Sequence, residues 1–286
     1  MGTANSKKVT DKLYQWNDKE LIDDGKLCHV YKCIRKGSKK EPSMTVALKV
    51  LKNPTLSKEE INQFVHAYSF AEYLTHRNIN KVHGLVHIDG YNALVMDYAD
   101  LGNLAKFQFK DQAQKIQSAL DMVSGLKFLH EKKAFHRNLK PTNVLLKTGE
   151  VDGSIITQIA DVGLGKVMFS ASGNTQFTDE PEYRAPELIK GNEYDLRVDV
   201  YSLSIILYEM FTGQKYSLPK HKKSVANILD AIQSQVKPDM TTLGADMTPL
   251  VLLIGKGWSF YPSERPTLDE FQTGLEAIRS TLKCLK

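Results

Sequence analysis

The hydrophobic period of this chain changes once, near residue 100, and that change limits the fold more than any other feature. From Tyr14 to about Tyr98, short apolar runs recur at Glu20–Asp24, His29–Ile34, Thr45–Leu51, Val82–Ile88 and Ala93–Tyr98. Asp/Gly or basic turns separate them, as in a small antiparallel sheet. One helical stretch interrupts the runs, Lys58–Thr75, opened by Ser57 with Glu60 three positions on, a capping-box pattern. Beyond Asp100 the spacing is mostly helical. Asp111–Glu131 carries Ile116, Leu120, Val123, Leu126 and Leu129 on i/i+3/i+4 spacing, and Val198–Phe211, Ser224–Gln235, Pro249–Trp258 and Leu268–Leu282 read the same way. The expectation is an α+β chain with a β-rich N-lobe over residues 14–98, a hinge at 97–101 and an α-helical C-lobe over 101–286, preceded by a polar tail of residues 1–13.

Composition narrows the class. Apolar residues make up 42% and charged residues 25% of 286 residues, close to a globular average, so a disordered or low-complexity chain is excluded. The longest apolar stretches, Val200–Phe211 and Pro249–Ile254, fall short of the roughly 18 residues a membrane span needs. Residues 1–14 are polar, so no secretory signal is expected. Cys28, Cys33 and Cys284 are too scattered for a disulfide framework and point to a reducing setting, cytosol or nucleus, with a cytoplasmic location expected. The net charge of +5 is spread over Lys7, Lys8 and Lys12, over Arg35, Lys36, Lys39 and Lys40, and over Lys220, Lys222 and Lys223. No aromatic residues interleave with these runs, which argues against a nucleic-acid surface.

Four constellations carry chemistry. Lys49 ends the apolar run Val46-Ala47-Leu48, and a buried ammonium there needs an anion to face. Phe135 to Leu146 places His136, Arg137, Asn138, Lys140, Thr142 and Asn143 within eight positions, far more polar groups than a turn requires. Asp161-Val162-Gly163 leaves a strand into a glycine turn; its carboxylate and the Asn143 amide are hard oxygen ligands suited to Mg²⁺. Tyr183-Arg184-Ala185-Pro186-Glu187 is followed by Asp199 and by Arg265.

In order, spacing and residue type these segments resemble the signature set of the protein kinase family. The resemblance runs from about Trp16 to Leu282 and implies a two-lobed fold that binds ATP and Mg²⁺. On it, Lys49 holds the α/β-phosphates, His136–Asn143 is the catalytic loop with Asn138 and Lys140 at its catalytic positions, and Asn143 and Asp161 hold the metal. Met96 falls at the gatekeeper, Asp97–Ala99 at the adenine-binding hinge, and Val30, Ala47 and Leu145 around the base. Gly25 is the surviving glycine of the phosphate loop. Glu187 should pair with Arg265, and Asp199 should brace the catalytic loop. Gly255-Lys256-Gly257-Trp258 resembles the tyrosine-kinase-like branch, while Lys140 two places after Asn138 resembles serine/threonine kinases.

Departures from the family pattern bear on activity. Asn138 stands where the family has an aspartate, and a neutral amide cannot accept a proton from a substrate hydroxyl. Ala67 replaces the helix glutamate that pairs with Lys49, and Glu60 lies seven residues away, about 10 Å along the helix. Asp23-Asp24-Gly25-Lys26-Leu27-Cys28 keeps one glycine of three and sets two carboxylates toward the phosphates. Glu180 replaces the activation-segment threonine. Three readings follow: a nucleotide-binding pseudokinase acting as scaffold or allosteric partner in signalling, with weak or metal-independent binding allowed; an active serine/threonine kinase; and a membrane-anchored adaptor that binds no nucleotide. Ser170, Ser172, Thr175 and Thr178 could be phosphorylated and order their segment against Arg137. Cys28 reads as a small stand-in for glycine, and His66 and His76 as satisfied structural histidines. Met1-Gly2-Thr3-Ala4-Asn5-Ser6 matches the N-myristoylation pattern at Gly2, with Lys7-Lys8 as an electrostatic second contact for a membrane surface.

Overall fold

A computed structural model of the chain describes residues 8–10, 13–17, 20–25, 28–39, 42–52, 68–162, 180–218, 225–234, 240 and 243–284. The chain divides into two compact units, residues 1–75 with 80–100 and residues 76–79 with 101–286. The first is built on a sheet and the second on helices, so the chain has the expected α+β, two-lobed architecture.

The first unit holds one seven-stranded antiparallel sheet in the order β1-β2-β4-β5-β7-β6, with β3 paired to β4. The strands are β1 Lys8–Thr10, β2 Tyr14–Asn17, β3 Leu21–Asp24, β4 Cys28–Arg35, β5 Met44–Leu51, β6 Val82–Ile88 and β7 Tyr91–Asp97. Strand β1 falls within the segment expected to be a tail, where it pairs with β2 through Val9 and Trp16. Alternation gives the sheet two faces. Cys33, Val46, Leu48, Ala93 and Val95 point one way into a core cluster with Tyr14 and Ile88. On the other face, register sets Val30 opposite Lys49 and Ala47 opposite Met96. Asp89 and Gly90 close the β6–β7 hairpin with φ of 51° and 83°, the paired left-handed geometry a two-residue turn demands. Residues 68–72 are helical; the remainder of the expected Lys58–Thr75 helix up to residue 67, including Glu60 and Ala67, lies outside the described residues.

The second unit centres on α1, Gln112–Glu131, which opens where Asp111 Oδ1 accepts the Gln114 N–H at 2.9 Å. Strands β8 (Val144–Thr148) and β9 (Ile155–Ile159) pair beside it. Helix α2 (Pro186–Lys190) leads to α3 (Arg197–Thr212), which is buried over most of its length; α4 (Val225–Ser234), α5 (Thr248–Gly257) and α6 (Leu268–Cys284) complete the unit. Helix α1 packs on α6, β9 and α3, and α3 packs on α5. Two glycines allow close approach. A Cβ on Gly125 would lie 2.7 Å from the Asn78 carbonyl oxygen, and one on Gly257 would lie 1.9 Å from Ser204 Oγ. Among the described residues, no helix is long and apolar enough to cross a membrane.

Candidate functional site

In the first unit, four of the expected nucleotide residues share one sheet face. Pairing of Val30 with Lys49 and of Ala47 with Met96 puts all four side chains on the face opposite the core cluster. Ala47 and Met96 are buried and Val30 is half-buried, an apolar surface suited to a planar ring, with Lys49 two residues beyond Ala47. Asp97 follows Met96 at the end of β7. Its N–H donates to the Lys81 carbonyl at 2.9 Å, its carboxylate meets His83 Nε2 at 2.8 Å, and Asn80 Nδ2 donates to its carbonyl at 3.3 Å. Ala99 is half-buried two residues on.

The β3–β4 turn differs from a phosphate cradle. Gly25 N–H donates to the Cys28 carbonyl at 3.0 Å, and Cys28 is buried, with its thiol withdrawn from solvent. Asp24 is held by Lys52 at 2.6 Å and lies 3.0 Å from His29; hydrogen bonding to Lys52 above all keeps its carboxyl below the usual range. The charge expected to repel phosphates is therefore partly offset at Asp24, although both Asp23 and Asp24 are exposed.

The second unit holds the catalytic-loop frame. Asp199, in the first turn of α3, is fully buried. Its Oδ2 accepts the His136 N–H at 2.9 Å and meets His130 Nε2 at 3.0 Å, while Oδ1 accepts the Arg137 N–H at 2.9 Å. Burial works against its charge, but the hydrogen bond to His130 and the His136 backbone N–H outweigh it and hold the carboxyl below its ordinary range. His136 is buried; its Nδ1 accepts the Asn138 N–H at 3.3 Å, which leaves Nε2 to donate to the Ala160 carbonyl at 2.7 Å. That bond ties the loop to the chain just ahead of Asp161.

Arg137 takes a left-handed φ of 63°. Its Nε donates to the Tyr194 hydroxyl at 2.9 Å, and its guanidinium lies over the Phe135 and Tyr194 rings at 4.7 and 5.5 Å. The expected partners Ser170, Ser172, Thr175 and Thr178, with Gly163, lie outside the described residues. Asn143 is buried, and its Nδ2 donates to the Asn138 carbonyl at 2.8 Å. With the amide nitrogen so used, its oxygen remains as a hard ligand, and Asp161, at φ 61°, follows Ala160. This donor chemistry fits Mg²⁺. Leu145, on β8, is half-buried.

Lys140 meets Glu180 at 2.7 Å. Farther from the loop, Arg265 grips Glu187 with both terminal nitrogens, at 2.6 and 2.9 Å, and also donates to the carbonyls of Ser259 and Arg197. His76 is half-buried; its Nδ1 accepts the Asn78 N–H at 3.1 Å and its ring stacks on Phe128. His66 and Gly2 are not among the described residues.

Sequence reading missed three contacts: the Lys140–Glu180 ion pair, the aromatic seat of Arg137, and the union of Tyr183 with Glu209. The Tyr183 hydroxyl donates to Glu209 Oε2 at 2.8 Å, and the Tyr216 N–H donates to Oε1 at 2.9 Å. Burial pushes the Glu209 carboxyl up and the Tyr183 hydroxyl up with it. Both line a hollow of about 450 Å³ with Phe107, Phe109, Lys115 and Glu180. The opposite charges of Lys140 and Glu180 were the one readable signal, forty residues apart and without a local motif to join them.

The chain belongs to the protein kinase family: residues 16–274 match the model described as "Protein kinase domain". Several of the proteins it is similar to carry serine/threonine kinase names. It is 28% identical over 234 residues to serine/threonine-protein kinase STY17 of Arabidopsis thaliana, covering 80% of this chain and 39% of that protein. It is 27% identical over 278 residues to serine/threonine-protein kinase CTR1 of the same plant, covering 93% and 32% respectively. A third, the probable serine/threonine-protein kinase gdt2 of Dictyostelium discoideum, is 26% identical over 256 residues, 88% of this chain and 15% of that protein. The chain thus spans well under half the length of these relatives.

Proposed function

We propose that this chain is a nucleotide-binding pseudokinase, a signalling module that acts on protein partners as scaffold or allosteric regulator with absent or residual phosphotransfer. One observation supports it above the others: Asp199, His136 and Asn143 hold the loop by hydrogen bonds, yet a neutral amide, Asn138, stands at its catalytic position. A frame kept without its base favours binding over chemistry. Bound ATP would supply the transferable phosphoryl group. In the first unit Val30, Ala47 and Met96 would offer an apolar face to its base and Lys49 an ammonium to its phosphates; in the second, Asn143 and Asp161 would offer oxygen ligands for Mg²⁺.

The test is single-turnover transfer from ATP to a generic protein substrate, beside a thermal-shift titration with ATP and Mg²⁺ and with Asp161→Ala as control. A shift with trace transfer supports the reading. Multiple turnovers would establish the second reading, an active serine/threonine kinase, which the presence of Lys49, Lys140, Asn143 and Asp161 favours. No shift would favour the adaptor that binds no nucleotide.

The same proposal places the chain in the cytoplasm, drawn in part to membranes by N-myristoylation at Gly2. One acyl chain binds only marginally, and Lys7-Lys8 adds the electrostatic contact. Intact-mass measurement of protein from its native cell should show the acyl group, and Gly2→Ala should move the protein to the soluble fraction.

A further inference from the structure

Several exposed apolar side chains of the first unit meet at one end of its sheet. Leu13, Ile34 and Met44 are 55%, 45% and 38% exposed. Register makes them neighbours across adjacent strands: Gln15 of β2 pairs with Ile34 of β4, Tyr14 with Arg35, and Arg35 in turn with Met44 of β5. Beyond that row the Lys36 N–H donates to the Leu13 carbonyl at 2.7 Å. The Gly37 N–H donates to the Ser43 hydroxyl at 3.0 Å, which fastens the start of the β4–β5 connection to its end. Arg35 and Lys36 are half-buried, and Lys39 in the connection is exposed. Lys40 and Glu41, outside the described residues, cancel in formal charge, which leaves Arg35, Lys36 and Lys39 as a positive surplus. Apolar groups held in water beside a run of cations mark a surface that meets a partner.

We propose that this sheet end is a membrane-contact surface: Leu13, Ile34 and Met44 enter the headgroup boundary of a bilayer, while Lys36 and Lys39, with Arg35, meet its anionic lipids. The surface goes beyond the Gly2 reading above, because it needs no acyl chain. The cations favour an anionic bilayer over a neutral one, and the apolar groups favour a bilayer over a soluble polyanion. Lysine stems can lie along the apolar side chains while their ammoniums reach lipid phosphates.

Sedimentation of the full chain with vesicles tests it, in a Gly2→Ala background that removes the acyl site. The vesicles are phosphatidylcholine alone and phosphatidylcholine with phosphatidylserine. The chain should bind the mixed vesicles and not the neutral ones, less tightly as salt is added. Lys36→Gln with Lys39→Gln should weaken binding roughly 25-fold, about fivefold per lysine. Lys106→Gln with Lys110→Gln, an equal charge change at exposed lysines of the second unit, should weaken it far less. Leu13→Ser with Ile34→Thr should weaken binding at every salt concentration while leaving the unfolding temperature unchanged. An environment-sensitive fluorophore on Met44→Cys should shift to the blue with mixed vesicles. The same fluorophore on Val151→Cys, at the exposed β8–β9 turn, should not. No binding to mixed vesicles, an equal loss in the Lys106 and Lys110 variant, or an unshifted Met44→Cys label overturns the inference and leaves N-myristoylation standing. Binding to soluble polyglutamate as tight as to vesicles, with no shift, assigns the cations to an acidic protein and overturns the bilayer contact.

Discussion

At the scale of single residues, the chemistry turns on where one negative charge sits. Asn138 would gain a carboxylate by Asn138→Asp, and general-base help is worth roughly 10²–10⁴-fold. With Glu180 2.7 Å from Lys140, which lies two residues along the same loop, the new aspartate would enter a segment that already faces an anion. The single change should therefore recover well under that range, and Asn138→Asp with Glu180→Thr should exceed the product of the two single effects, because both change the charge beside one loop. Initial autophosphorylation rates of the four variants at saturating ATP and Mg²⁺ check this; full rescue by Asn138→Asp alone would show Glu180 to be a bystander. Asp199 supports a pH prediction. Its carboxyl is held below the ordinary 3.8, so its contribution is complete above that value and is lost as the pH falls through the lower, folded value. Asp199→Asn should cost about 3 kcal/mol at pH 7, where a buried charge-assisted set is broken, and the gap to wild type should narrow toward pH 3. Chemical denaturation across that range measures it.

At the scale of elements, most of the fold was legible because the periods differ. Strands β4 to β7 are short apolar runs bounded by turn residues, with Cys33, Val46, Leu48 and Val95 in the core cluster, and α1 repeats its apolar face every three to four residues. Strands β1 and β2 were not legible. Lys8–Thr10 is a three-residue edge strand whose signal is pairing with β2 rather than composition, and so short a run carries no period. Glycine contacts between helices were equally silent, since closeness of approach belongs to tertiary packing. Gly257 ends α5 against α3, where an added Cβ would meet Ser204 Oγ at 1.9 Å and Phe271 Cζ at 3.2 Å. Gly257→Ala should destabilise the protein by about 1–3 kcal/mol through overpacking. Ser204→Ala in the same chain should recover part of that loss, because the nearest obstructing atom is then gone. Urea unfolding of the two variants and the double reads the coupling; identical costs with and without Ser204 would place the strain elsewhere.

At the scale of the whole molecule, residues far apart in sequence converge on arrangements that no local pattern specifies. Resemblance to a family could assign the Glu187–Arg265 pair, seventy-eight residues apart, whereas the residues alone said only that two opposite charges existed. Lys140 with Glu180, and Tyr183 with Glu209, had no such guide and emerged only from the fold. The energetics of the first pair also depend on its setting. Arg265 is fully buried at its guanidinium, caps the Ser259 and Arg197 carbonyls, and lies over the Tyr201 ring at 5.1 Å. It therefore joins α2, the start of α3 and the segment after α5. Removing one partner leaves the other charge buried without compensation, which costs about 3–5 kcal/mol, whereas the pair as a whole contributes less than that against an apolar replacement. Arg265→Met should thus destabilise the chain strongly, and Arg265→Met with Glu187→Leu should be milder than Arg265→Met alone despite carrying two changes. Arg265→Lys should fall between wild type and Arg265→Met, because an ammonium keeps the charge but cannot span Glu187 and two carbonyls in one plane. Thermal and urea unfolding of these three variants and of Glu187→Leu decide it: a double variant less stable than either single would mean that the ion pair itself, and not the avoidance of a lone buried charge, holds these segments together.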